Sequence, residues 1–199
     1  MKKTLALLAP LAFLAALPAS ATAQETDPDR RIVKQVVVKA SPEDAWKAWS
    51  TTEGIQSFFA PEARVEARPG GAFHVHFNPY AKPGLKGADD MTVLAVQERK
   101  MISFTWNSPP YMPVVRSQLT SVQVRFKPLG EKETEVRLVH GGWGEGEKWD
   151  ESFKYFDTAW GRVLANLQKR FAEGPIDWTE YLKRMKAFQD AEDAKAARK

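Results

Sequence analysis

Three histidines are the residues of this 199-residue chain best suited to moving a proton or holding a metal. Two of them, His74 and His76, alternate with Phe73, Val75 and Phe77. Period-two spacing sends side chains of equal parity to one face of a strand, so the two imidazoles point the same way. Such a pair is half of a metal site. No third ligand follows nearby, and if the three apolar residues face the core the pair faces solvent, so no metal is assigned. His140 differs, because it shares parity with Val136 and Leu138 and is expected to point inward beside the loop 141–147. An imidazole on an apolar wall can hydrogen-bond a ligand carbonyl or hydroxyl and act as general acid or base. The competing reading is a core histidine satisfied by backbone or a neighbouring acid.

The remaining candidates are aromatic and apolar. Trp106, Trp143 and Trp149 are expected to ring one end of a pocket, although aromatics at regular spacing also serve as plain packing. The loop 107–116 carries Pro109, Pro110, Tyr111, Met112 and Pro113. Apolar side chains in a loop suggest a lid or mouth. Arg116, which ends it, is suited to an anionic head group or to a surface ion pair. Asp89-Asp90 reads as solvated charge in a turn. Cysteine is absent, and no G-x-S-x-G elbow or G-x-G-x-x-G turn occurs, so neither nucleophilic catalysis nor a dinucleotide cofactor has sequence support.

One element must position all of these. Trp149, Phe153, Phe156, Trp160, Leu164, Leu167 and Phe171 recur at steps of three and four, which predicts a long helix over 148–171 with one apolar face. So much aromatic surface needs a broad concave partner. Ahead of it, β-branched and alternating runs predict strands at 32–39, 64–68, 73–77, 91–97, 102–106, 119–126 and 135–140. Ser41-Pro42-Glu43-Asp44 opens a first short helix, with Ser41 as N-cap, and a second covers 52–59. Hairpin-length connections make the sheet antiparallel. The expected fold is α+β: a curved antiparallel sheet of six to seven strands wrapped on a long C-terminal helix, with two short helices after the first strand. Phe73, Val75, Phe104, Phe153, Phe156 and Trp160 are expected to line the space between sheet and helix.

The ends are read separately. Lys2 and Lys3 precede an apolar run at 5–17, and Ala21-Thr22-Ala23 is a small-x-small cleavage site. Residues 1–23 are therefore expected to be a cleaved signal peptide of a periplasmic protein, with no membrane span left afterwards. Cleavage removes two lysines, leaving 27 basic against 25 acidic residues out of the original 29 and 25. Both signs are interspersed, which argues against nucleic acid. Residues 24–174 form the main domain and 175–199 a helical extension. In that extension Trp178, Tyr181, Leu182, Met185 and Phe188 make a second apolar stripe, which folds back onto the domain or meets a partner.

Ala40-Ser41-Pro42-Glu43-Asp44-Ala45-Trp46, Arg68-Pro69-Gly70-Gly71-Ala72-Phe73, Ile102-Ser103-Phe104-Thr105-Trp106 and His140-Gly141-Gly142-Trp143, with Trp160…Leu164…Leu167, occur in a specific order. Over residues 32–172 they resemble the START-like SRPBCC superfamily, the helix-grip fold. Within it, they resemble the branch named after the activator of the ninety-kilodalton heat-shock ATPase. The resemblance implies a hydrophobic cavity between helix and sheet, with roles from lipid carriage to cyclase or hydrolase chemistry. Three functions follow as expectations. The first is binding of a small hydrophobic or amphipathic molecule, without cofactor. The second is an enzyme using His140 as acid or base. The third is a protein-interaction module or homodimer using the C-terminal helix.

Overall fold

The computed structural model describes residues 30–198; the expected signal peptide lies outside the described residues. Strand β1 (Ile32–Val38) leads into helices α1 (Pro42–Ser50) and α2 (Thr52–Gln56). Strands β2 (Glu62–Val65), β3 (Phe73–His76), β4 (Gly87–Ala88), β5 (Val93–Gln97) and β6 (Met101–Trp106) follow. A short helix α3 (Pro113–Arg116) precedes β7 (Thr120–Gly130) and β8 (Glu133–Gly141), and the chain ends in α4 (Glu147–Glu173) and α5 (Thr179–Ala196).

The strands are antiparallel and fall into two sheets, one ordered β1-β8-β7-β6-β5 and one ordered β2-β3-β4. A sheet of six to seven strands was the expectation; the structure divides its strands five and three. The seam between the sheets is narrow. Phe73 N–H donates to Met91 O at 2.8 Å and Val93 N–H to Gly71 O at 2.8 Å, beside an isolated Ala72–Thr92 bridge. The turn before β3 makes this possible. Gly70 sits at φ 76°, and a Cβ on Gly71 would come within 2.2 Å of the Glu66 carbonyl oxygen. Only glycine relieves both constraints.

Local chemistry fixes the helices. Ser41 Oγ accepts the Asp44 amide at 3.1 Å, capping α1 as its sequence implied. The 27 residues of α4 make it ~40 Å long, and its buried face is Trp149, Ser152, Phe156, Trp160, Leu164 and Leu167. Ion pairs Lys34–Asp157 (2.7 Å) and Arg30–Asp150 (2.5 Å), with Gln168 donating to Val37 O at 3.0 Å, align α4 along the β1 edge. These contacts are exposed or nearly so and set orientation more than stability. Burial of the apolar face supplies the stability.

α5 is different in kind, because none of its residues is buried. It folds back through its beginning and its middle. Trp178 Nε1 donates to Gln56 O at 2.6 Å, Ile176 N–H to Ser57 O at 2.9 Å, and Asn78 Nδ2 to Gln189 Oε1 at 3.0 Å. Among the described residues no helix is long and apolar enough to cross a membrane.

Candidate functional site

His140 lies at the centre of a packed aromatic seam between β8 and α4 and has no exposed surface. Trp160 Nε1–H donates to His140 Nδ1 at 2.9 Å, so that nitrogen carries the lone pair and the proton sits on Nε2. Nε2 meets Thr120 Oγ1 at 2.7 Å, and the Thr120 hydroxyl passes its own proton to Trp106 O at 3.1 Å. Burial drives the His140 pKa down to about 3, so the ring is neutral at physiological pH. Trp143 closes the unit, its ring tilted at 47° against the imidazole with centroids 4.2 Å apart, while its Nε1 donates to His140 O at 3.1 Å. Every polar atom of His140 is used internally. It has neither a free nitrogen nor a path to a ligand, which corrects its expected place in a cavity wall.

The open space lies one step around α4. A cavity of about 560 Å³ opens between α4, the segment after β6, the small sheet and α5. That volume is in the range of small-molecule sites. Phe59, Phe77, Trp106, Phe156 and Trp160 give it aromatic walls, and Ala88, Ala159 and Val163 leave the room. Trp178, just ahead of α5, and Tyr181 within it close part of the remaining side. Among the described residues, exposed Arg162 is the one charged side chain in the lining. Burial raises the pKa of the phenols of Tyr155 and Tyr181, which stay neutral and able to donate.

Asn107 gives the cavity its distinctive polar group. It directly follows β6, where Pro109 and Pro110 deny the strand further amide donors. The side chain is only 8% exposed, and its Oδ1 is buried with no hydrogen-bond partner. Leaving such a group bare costs about 1–3 kcal/mol. Next to it, Ser108 is satisfied through a 2.8 Å contact with Ser152 Oγ.

Of the expected site residues, the structure brings Trp106, Phe156 and Trp160 to this cavity. The others have different positions. Phe73 stacks on Phe104 at 3.7 Å and, with Val75, belongs to the solid core. Trp149 and Phe153 pack around Trp143, with centroids at 6.4 and 5.2 Å. Tyr111 is 67% exposed and touches only the rim through Tyr155, while Met112 packs half-buried against the core. Arg116 is consumed as a brace. It donates to the carbonyl of Ser108 and, at 2.7 Å each, to those of Gly84 and Gly87, with Asp89 at 3.3 Å. The brace fixes Gly87 and Ser108, both of which line the cavity.

Asp89 also departs from expectation. It is 8% exposed and accepts the amides of Gly84 at 3.0 Å and Gly87 at 2.9 Å. His76 is half-buried and held by acids: Nδ1 lies 2.5 Å from Glu62 Oε1 and Nε2 3.8 Å from Asp89. Among the described residues no group of three or more His, Cys, Asp or Glu side chains converges as a metal site would require.

A family model described as Activator of Hsp90 ATPase homolog 1-like protein matches residues 39–172. The chain belongs to that family. Solved structures agree on the fold. The Aha1 dimer from Colwellia psychrerythraea is 20% identical, with a TM-score of 0.57, over 73% of this chain and 98% of that one. Protein MLL2253 from Mesorhizobium loti is 19% identical, TM-score 0.58, over 74% and 100%. Protein BH1534 from Bacillus halodurans is 24% identical, TM-score 0.53, over 71% and 96%. No curated protein matches the chain. The family match ends before α5, so Trp178 and Tyr181 come to the cavity from beyond the matched family region.

Sequence reasoning missed Phe59, Phe77, Asn107, Ala159, Val163 and the pair Trp178 and Tyr181. One signal was available. Ala159, Val163 and Asn166 repeat at helical spacing beside the aromatic stripe, and a run of small residues marks where space remains.

Proposed function

We propose that this family member binds a small hydrophobic or amphipathic molecule in the cavity between α4, the segment after β6 and α5. The observation that carries this reading is about 560 Å³ of space walled by aromatic rings within an otherwise packed core. Burying a ligand's apolar surface there contributes ~25 cal/mol per Å². Exposed Arg162 gives an amphipathic ligand's anionic end a partner at the surface. The aromatic anion anilinonaphthalene sulfonate tests this. It is expected to bind saturably, one per chain, with quenching of tryptophan fluorescence, and to lose that binding in Ala159→Phe, whose ring fills the space. Binding that is unsaturable, or indifferent to that substitution, rejects the proposal. An enzyme using His140 has no geometric support, since the ring is sealed and neutral.

A contact with a second protein through α5 is favoured by one observation: Phe188 is 56% exposed on a helix with no buried residue. The relative from Colwellia psychrerythraea is itself a dimer. Sedimentation equilibrium of the full chain against Phe188→Ser decides it. For location, we propose export with cleavage after Ala23, supported by the Lys2-Lys3, apolar-run and Ala21-Thr22-Ala23 pattern. A mature chain whose mass begins at Gln24 is the expected result, and an intact Met1 end refutes it.

A further inference from the structure

The mouth of the cavity carries a charge pattern that its apolar walls do not explain. Along α4, Tyr155, Thr158, Arg162 and Asn166 follow at steps of three and four, so a polar row runs beside Ala159 and Val163 and lines the same space. Tyr181 joins the lining from α5. Burial raises the pKa of the Tyr155 and Tyr181 phenols, while Arg162 pulls the first the other way and Arg184 the second. Each guanidinium is therefore within electrostatic reach of a phenol that keeps its proton. Both arginines are exposed, and among the described residues neither is in an ion pair. Their neighbours on α5, Lys183 and Lys186, are paired with Glu180 and Asp190 at 2.6 Å each. Among the described residues no Asp or Glu lines the cavity.

Resting on the cavity reading, we infer that Arg162 and Arg184 select the sign of the ligand's charge. The ligand class is then a ring-bearing apolar carboxylate, its ring among the aromatic walls and its anion at the mouth between α4 and α5. Two guanidinium groups supply donors that match a carboxylate, and the phenol hydroxyls add two more. A cation is the rival guest, because aromatic walls also attract ammonium groups through their ring faces. It would enter past two positive charges and meet no acid in the lining, so the arrangement works against it. Arg184 lies beyond residue 172, where the family match ends, and half of this recognition is the C-terminal extension's own contribution.

Naphthoate, naphthylmethanol and naphthylmethylammonium share one ring body and differ in the charge of a single substituent. Calorimetric titration of the full chain at low salt is expected to rank them in that order. Exposed ion pairs are individually weak, and two acting together should bind naphthoate about fivefold more tightly than the alcohol, a margin that shrinks at high salt. Arg162→Gln and Arg184→Gln should each erode the margin and together erase it. The alcohol's affinity and the melting temperature should hold, since both side chains are exposed. Lys186→Gln, which removes one charge from a paired neighbour on α5, should leave the margin intact. Three results overturn this inference and leave the cavity reading standing: an alcohol or ammonium bound as tightly as naphthoate by the unsubstituted protein, a margin that survives the double substitution, or one that Lys186→Gln erodes as much as Arg184→Gln does. Binding of none of the three probes overturns both.

Discussion

α4 presents two neighbouring surfaces that solve opposite problems. Along one, Phe156 and Trp160 press with Trp143 around His140, at centroid separations of 5.1, 5.8 and 4.2 Å, and the imidazole's polar atoms are all paired. Along the other, Ala159 and Val163 face about 560 Å³ of space, and Asn107 Oδ1 has no partner. The first surface satisfies a polar group to make a unique core, and the second leaves one unsatisfied beside room for a guest. Large residues announce where the fold is filled, and small ones announce where it is not. Trp160 belongs to both surfaces, so it is the place to test whether they are separable.

Trp160→Ala is expected to have the largest effect, because it empties the seam and a cavity wall together. The chain should lose about 3–5 kcal/mol, read as a fall in the urea midpoint. Trp160→Phe keeps most of the ring but leaves His140 Nδ1 bare, at a cost of about 1–3 kcal/mol. Equal losses in the two variants would mean that the hydrogen bond, and not the packing, dominates the seam.

The seam should also announce itself in acid. The folded pKa of His140 is depressed from 6.5 to about 3, so between those values the unfolded chain binds a proton that the folded one does not. Stability therefore falls as pH drops through 6.5 and continues to fall toward 3. Between pH 6.5 and 5, above most carboxylate titration, the loss is roughly 1–2 kcal/mol. Burial lowers the pKa of His74 as well, adding a contribution of the same sign. His140→Gln, compared with the unsubstituted protein, isolates the larger part. A pH slope unchanged by that substitution would contradict the sealed, neutral ring.

These two surfaces were not equally legible in the sequence. The seam's residues were visible as a stripe at 149, 153, 156, 160, 164 and 167, and His140 was assigned inward by its parity with Leu138. Hydrophobic periodicity reports burial, and these residues are buried or half-buried. Periodicity does not report emptiness. It therefore could not say that Phe73, Phe104 and Trp149 complete a solid core while Trp106 borders a void. The contribution of Trp178 depends on a fold-back fixed by the Gln56 carbonyl, a contact 122 residues distant that no local pattern encodes. Arg116 reads in the sequence as an anion partner or a surface ion pair, and Asp89 as solvated charge, because their partners are mainly backbone carbonyls and amides, which sequence does not display.

The cavity can be attacked without the seam. Ala159→Phe adds a ring where space already exists, so stability is expected to shift by only about 1 kcal/mol either way, read by thermal melting. Probe affinity should nevertheless fall by more than about tenfold, since the ring and the ligand compete for one volume. A large stability loss here would show that the wall cannot accept added volume and that the two surfaces are mechanically coupled.

The smallest effect on stability is expected from ending the chain at Gly174. α5 buries none of its own residues, and most of its ion pairs, such as Lys186–Asp190 at 2.6 Å, are internal and exposed. Its loss removes the Trp178–Gln56, Ile176–Ser57 and Asn78–Gln189 hydrogen bonds, each worth about 0.5–1.5 kcal/mol, part of which water restores. The melting temperature should therefore move by only a few degrees. Ligand exchange is another matter, because Trp178 and Tyr181 cover part of the cavity. Stopped-flow displacement of anilinonaphthalene sulfonate should show dissociation several-fold faster from the shortened chain, with its association less affected. Unchanged dissociation would make α5 a neighbour of the cavity and not its cover, and would leave exposed Phe188 as the feature of that helix still to be explained.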